Sequence, residues 1–167
     1  MIIDIVVVGD YKTNCYILTL GNDVLVIDPG AEYEKIKPSL KNKNILGALI
    51  THDHPDHTGE IRHFNRVFDY NNLKEGDNTI GPFEFEVIRT PGHRFDSVTY
   101  YFKREEIMFT GDFIFKGTIG RTDLETGCIQ EMAKSIDKIK DYPNAKIFPG
   151  HGKGTTLGAE KINNIYF

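Results

Sequence analysis

Tryptophan is absent, and cysteine occurs only twice in the 167 residues, as Cys15 and Cys128. Neither belongs to a Cys-x-x-Cys pair, which excludes a disulfide-stapled scaffold and a zinc ribbon. Two such thiols suit a reducing compartment, and Cys15, inside an apolar run, reads as core. No apolar run approaches the ~20 residues a membrane-spanning helix needs. The first eight residues carry Asp4 and no basic residue, unlike a secretory leader. The expectation is a cytoplasmic protein without membrane association. A basic excess is missing too: 20 Lys and Arg face 24 Asp and Glu, for a net charge of −4. Phosphate backbones favour a basic face, so nucleic acid is not the expected partner. Repeats, linkers and low-complexity tracts are lacking as well. The length predicts a single domain over residues 1–167, able to bury roughly 70% of its unfolded surface.

What is abundant is histidine, and it is concentrated. Thr51-His52-Asp53-His54-Pro55-Asp56-His57 packs three imidazoles and two carboxylates into seven residues. It follows directly on Leu46-Gly47-Ala48-Leu49-Ile50, a run with the length and flanks of a buried strand. Imidazole and carboxylate are the nitrogen and oxygen donors that zinc, iron and manganese accept. Pro55 stiffens the turn. The same design recurs three times. Strand-like Phe83–Arg89 runs into Thr90-Pro91-Gly92-His93, Glu106–Phe109 into Thr110-Gly111-Asp112, and Ala145–Phe148 into Pro149-Gly150-His151. Five of the six histidines lie in these strand-end loops. The arrangement predicts one shared sheet edge with its loops converging on a cleft. His63, in a helix predicted from Thr58 to Phe64, reads as a surface residue.

The remaining pattern alternates strand and helix. Ile2–Val8 is a continuous apolar strand, and Gly21-Asn22-Asp23 joins Cys15–Leu20 to Val24–Ile27 as a hairpin. Helical spacing over 32–41 meets Pro38, which predicts a kink or restart. Residues 71–78 and 113–123 read as loops, and Val98–Phe102 pairs with 106–109. Ile129, Met132, Ala133, Ile136 and Ile139 form a helical core stripe, and a short helix is expected from Thr155 towards Asn163. No strand or helix announces an unpaired apolar face, so the oligomeric state is left open. By itself this pattern says only α and β elements in layers.

The spaced donors His52-x-His54-x-Asp56-His57, His93, Asp112 and His151 resemble the ligand set of the metallo-β-lactamase superfamily, and within it the glyoxalase II (hydroxyacylglutathione hydrolase) branch. Thr13-Asn14-Cys15-Tyr16, Ile27-Asp28-Pro29-Gly30, Gly120-Arg121-Thr122-Asp123 and Pro149-Gly150-His151-Gly152 extend the similarity over nearly the whole chain. The resemblance implies an α+β fold, a four-layer αββα sandwich with the metal site at one edge between its two sheets. The chain would be a compact form without the branch's C-terminal helical domain. Only 36 positions separate His57 from His93, which implies a cleft more open on that side. Where the family has Thr-x-Gly-Ser after its histidine, this chain has Arg94-Phe95-Asp96-Ser97.

By the same resemblance, His52, His54 and His93 hold one metal ion, Asp56, His57 and His151 a second, and Asp112 bridges them. Two divalent ions, zinc first and iron or manganese as alternatives, would share a hydroxide that attacks the substrate. Asp56 and Asp112 are thus the catalytic carboxylates, and Asp28 supports the ligand loops from behind. Arg121 resembles the basic residue that contacts a substrate carboxylate, with an ion pair to Asp123 or Glu125 as its plainer role. The implied activity is hydrolysis of a thioester such as S-lactoylglutathione or a related acyl-thiol. Persulfide dioxygenases share the donors and the Gly-Arg-Thr-Asp loop but use a single iron and O₂, and they tend to carry cysteine where Ser97 stands. Hydrolysis of another ester, a lactone or a phosphodiester is the further alternative. Aspartate at position 112, where many zinc β-lactamases have cysteine, argues against β-lactam hydrolysis.

Overall fold

Near-continuous apolar strands imply burial on both faces, and the strand residues sort accordingly. The computed structural model describes residues 1–167. One sheet runs in the order β1 (Ile2–Val8), β2 (Thr13–Leu20), β3 (Asp23–Ile27), β4 (Asn44–Leu49) and β5 (Val67–Phe68). Tyr16, Leu18, Leu25 and Ile27 face the second sheet, whereas Cys15, Ile17, Val24 and Val26 face the helical side with Ile36 and Leu40 of α1 (Tyr33–Leu40).

The second sheet contains β6 (Gly76–Ile80), β7 (Phe83–Arg89), β8 (Val98–Phe102) and β9 (Ile107–Gly111). Beyond β9 lie two later strands, Lys146–Pro149 and Thr155–Thr156. Val98, Tyr100, Phe102 and Phe109 point into the inter-sheet core. Tyr101 and Met108 point outward, under Met132, Ile136 and Ile139 of the helix Ile129–Lys140. The result is helix, sheet, sheet, helix, the expected αββα sandwich. Burying each large aliphatic or aromatic side chain contributes about 1.5–3 kcal/mol.

Topology then places the site. Strands β3 and β4 are parallel, as are β9 and Lys146–Pro149, while β7 reaches β9 through two antiparallel steps. The C-terminal ends of β3 and β4 thus share one end of the first sheet, and those of β7, β9 and Lys146–Pro149 one end of the second; a bridge between Thr13 and His151 joins these ends, and each strand runs into a loop carrying a chemically active side chain.

Three local expectations change. The helical turn after the histidine cluster is α2 (Pro55–Thr58), followed by a 3₁₀ turn at Ile61–His63, not a helix from Thr58. The Glu60 amide donates to the Pro29 carbonyl at 2.9 Å, which takes it out of any helix. Polar residues 71–78 include the start of β6, an edge strand whose outer side faces water. The loop after Asp112 folds into a small hairpin, β10 (Ile114–Phe115) with β11 (Thr118–Ile119). The later strands and helices are accordingly β12 (Lys146–Pro149), β13 (Thr155–Thr156), α3 (Ile129–Lys140) and α4 (Leu157–Asn163).

Candidate metal centre

The β4 end delivers His52 and His54, and α2 adds Asp56 and His57. The β7 end brings His93, the β9 end Asp112 and the β12 end His151. The donor atoms of His52, His54 and His93 gather into one group, those of Asp56, His57 and His151 into another, and His52, His57 and Asp112 into a third that joins them; within each group all lie within 4.8 Å. Asp112 reaches both sides: its Oδ1 is 3.5 Å from His57 Nε2, and its Oδ2 is 3.6 Å from His93 Nε2 and 3.4 Å from His151 Nε2.

The outward nitrogens explain why the inward ones are free. His93 Nδ1 donates to the Arg121 carbonyl at 2.8 Å, and His151 Nδ1 to the Tyr11 carbonyl at 3.0 Å. His57 Nδ1 meets Asp28 Oδ2 at 2.9 Å. Thr51 gives its hydroxyl proton to Asp28 Oδ2, so its oxygen accepts from His52 Nδ1 at 3.1 Å. A carbonyl or carboxylate can only accept, so the Nδ1 proton is fixed in each case, and whenever the ring is neutral its Nε2 lone pair faces inward. Asp28 adopts a left-handed backbone, φ 51°, a conformation aspartate tolerates better than most residues. It binds the Thr51 amide as well, at 2.8 Å.

This donor set fits cations. His54 Nδ1 lies 3.0 Å from His52 Nε2 and 2.9 Å from His93 Nε2. One proton on His54 could serve only one of those neighbours, so lone pairs crowd together. Nearby, His57 Nε2 and Asp112 Oδ1 are buried without a hydrogen-bond partner, a costly condition that a bound cation relieves. A Cβ on Gly150 would collide with Asp112 Oδ1 and crowd His57, so glycine there leaves the donors room to converge.

Electrostatics divides the histidines. Burial, then the neighbouring imidazoles, push His52 well below the usual range; burial, His93 and Arg94 lower His54. Burial also opposes charge on His57, but Asp28 and Asp112 outweigh it and raise it to about 10. His151, likewise disfavoured by burial, is raised to about 9 by Asp112 and Asp56. Asp112 resists its own burial and stays well below the carboxylate range through His151 and His57.

Residues 8–78 and 71–151 match the family model described as the metallo-beta-lactamase superfamily. The chain belongs to that superfamily. Among curated relatives, the probable metallo-hydrolase YqgX of Bacillus subtilis is 32% identical, over 95% of this chain and 94% of its own. The hydroxyacylglutathione hydrolase GloC of Haemophilus influenzae is 27% identical, over 99% and 98%. Among solved structures, the B3 metallo-beta-lactamase BLEG-1 superposes with a TM-score of 0.94 at 30% identity, over 99% of both chains. TTHA1623, crystallised in a di-iron-bound form, gives 0.89 at 28%, over 98% of this chain and 100% of its own.

For a metallo-hydrolase fold of this kind, the seven donors named from the sequence all come together, with Asp28 behind them. The exposed Arg121 guanidinium binds Asp123 at 2.7 and 2.8 Å, the plainer of its two expected roles, while its carbonyl accepts from His93 and orients that ring. Three contributors had no role in the sequence reading. Thr13 donates to Asp56 Oδ2 at 2.9 Å. Asn14 and Tyr16 grip the His151 loop, through Asn14 Nδ2 to the Pro149 and Gly152 carbonyls and Tyr16 OH to the Pro149 carbonyl at 2.6 Å. The Thr13–Tyr16 motif carried that signal, but the partner of Thr13 lies 43 positions away and those of Asn14 and Tyr16 more than 130. The Tyr11 carbonyl gave no side-chain signal at all.

Proposed function

We propose that this metallo-hydrolase carries two divalent ions and hydrolyses thioesters, with S-lactoylglutathione or a related acyl-thiol as substrate. The supporting observation is the reach of Asp112 to both histidine groups. His52, His54 and His93 would hold one ion, Asp56, His57 and His151 the other, and Asp112 both. When bound, such a pair supplies Lewis acidity and an activated water at neutral pH. Nitrogen and oxygen donors accept zinc, iron and manganese. We favour zinc, and the di-iron form of TTHA1623 makes iron the ion to measure beside it.

The chain's own groups favour a thioester. Asp56 overcomes partial burial through His151, His57 and Thr13 and is held down at about 2, so at neutral pH it accepts protons' hydrogen bonds and does not donate. Its Oδ2, fixed by Thr13, can orient an attacking water. Once the imidazoles serve as ligands, none of the converging groups keeps a proton to give. A thiolate, with a conjugate acid near 8.5, departs without one, whereas an amine leaving group needs it. The similarity to GloC, a hydroxyacylglutathione hydrolase, supports the same substrate class.

The similarity to BLEG-1 favours a second reading, β-lactam hydrolysis. Purified protein should be assayed for metal content by mass spectrometry and for turnover of S-lactoylglutathione and a chromogenic cephalosporin side by side. Two ions per chain and thioester turnover are expected. Cephalosporin turnover alone would replace the first reading with the second. One iron per chain with oxygen uptake on glutathione persulfide would replace both with a dioxygenase.

A further inference from the structure

A β-sheet edge exposes unpaired amides and carbonyls, and proteins blunt such edges by shortening them or placing charge on them. The two sheets here have four edges. β5 and β13 are each two residues long. β6 reads Gly76-Asp77-Asn78-Thr79-Ile80, polar at its centre, with Asp77 bound to Lys103 at 2.6 Å. β1 is the least protected of the four, with Asp4 as its single charge. It runs seven residues, Ile2-Ile3-Asp4-Ile5-Val6-Val7-Val8, with no proline, no lysine and an unbroken register against β2.

Its side chains are unprotected as well. Val6 and Val8 pack towards α1, and Ile3 reaches the inter-sheet core. Yet Ile2 is 64% exposed, Ile5 52% and Val7 49%. Ile5 and Val7 share the face of Ile3, because strand side chains alternate. The first sheet thus extends past the second and leaves both an apolar row and an open backbone edge in water.

We propose that β1 pairs with β1 of a second copy, antiparallel about Ile5, joining the two five-stranded sheets into one. An open strand edge fits another strand, and this strand is complementary to itself. A two-fold axis at Ile5 sets Ile5 against Ile5 and Ile3 against Val7 on the exposed face, and Ile2 against Val8 on the other. The one charge on the strand, Asp4, then lies opposite Val6 and not opposite its own copy, so like charges avoid direct juxtaposition. The pairing is isologous and closes at two copies. The metal-donor loops lie away from this edge, apart from the β1–β2 connection that supplies the Tyr11 carbonyl.

The test is sedimentation velocity of the metal-loaded full chain from about 1 μM to about 0.5 mM, with a roughly micromolar dimer expected for an interface at the small end of the range. Ile5→Lys, at a half-exposed site outside the metal centre, should weaken dimerisation more than about tenfold and leave metal content unchanged. Independently, Ile5→Cys in a Cys128→Ser background should crosslink 5 to 5 on mild oxidation. A chain monomeric throughout overturns the proposal and leaves the edge to a strand from another protein. A dimer indifferent to Ile5→Lys that gives no 5-to-5 crosslink overturns it too, because the copies then meet elsewhere.

Discussion

The two donor groups differ in how they meet protons, although five of their six side chains are histidines. His52 and His54 are pushed down by burial and by other imidazoles. His57 and His151 are pushed up, to about 10 and about 9, because Asp28, Asp56 and Asp112 outweigh burial. His52 and His54 therefore wait as neutral ligands. The second, with carboxylates on both sides, holds protons that an ion must displace. Carboxylate placement, not histidine count, sets this difference.

Asp112 is the residue whose loss should break the comparison most completely, since it serves both groups. Asp112→Ala is expected to cost more than about 100-fold in turnover, beyond the 10–100-fold typical of partners that only orient ligands. Bound ions counted by mass spectrometry should fall from two to one or fewer. Retention of two ions and activity would refute the bridging role.

The proton difference predicts a pH dependence with a definite sign. Raised imidazoles stay protonated up to about pH 9–10, so between pH 6 and 9 the second ion competes with up to two protons. Its affinity should rise roughly 10- to 100-fold per pH unit. His52 and His54, lowered below the ordinary imidazole value, offer the first ion little proton competition over that range, so the pH profile at their group should be the shallower of the two. Chelator competition at stepped pH would check this, and two equally steep profiles would contradict it.

Asp28→Asn sharpens the same comparison at nearly constant shape. It replaces one acceptor oxygen with a donor facing Thr51 and His57. The second ion should bind 10–100-fold more weakly, and its pH slope should flatten because His57 loses the carboxylate that raises it. A uniform loss at both groups would instead mark Asp28 as a general support of the fold.

What could be read from the chain follows from where the relevant groups lie. The donors were legible because imidazole and carboxylate advertise themselves as side chains at strand ends. The layers were legible in β2, β3, β8 and β9, whose near-continuous apolar runs require cover on both faces. Backbone partners were not: the carbonyls of Tyr11 and Arg121 become specific only when long-range pairing brings them to His151 and His93. The exposure of β1 was hidden for a related reason, since the same apolar run is core in the middle of a sheet and surface at its edge.

The smallest effect concerns Arg121, whose two parts belong to different regions. Its carbonyl is fixed to His93 whatever the side chain, so Arg121→Ala should leave metal content and fold intact. Its guanidinium is exposed and already bound to Asp123, so removal should matter only if a substrate carboxylate takes over that pairing. The expected outcome is a several-fold rise in KM for S-lactoylglutathione with kcat nearly unchanged, the signature of lost ground-state binding. Arg121→Lys should restore only part of it, because an ammonium cannot reproduce the two-pronged contact. An unchanged KM would confine Arg121 to its ion pair with Asp123 and to the carbonyl that aims His93.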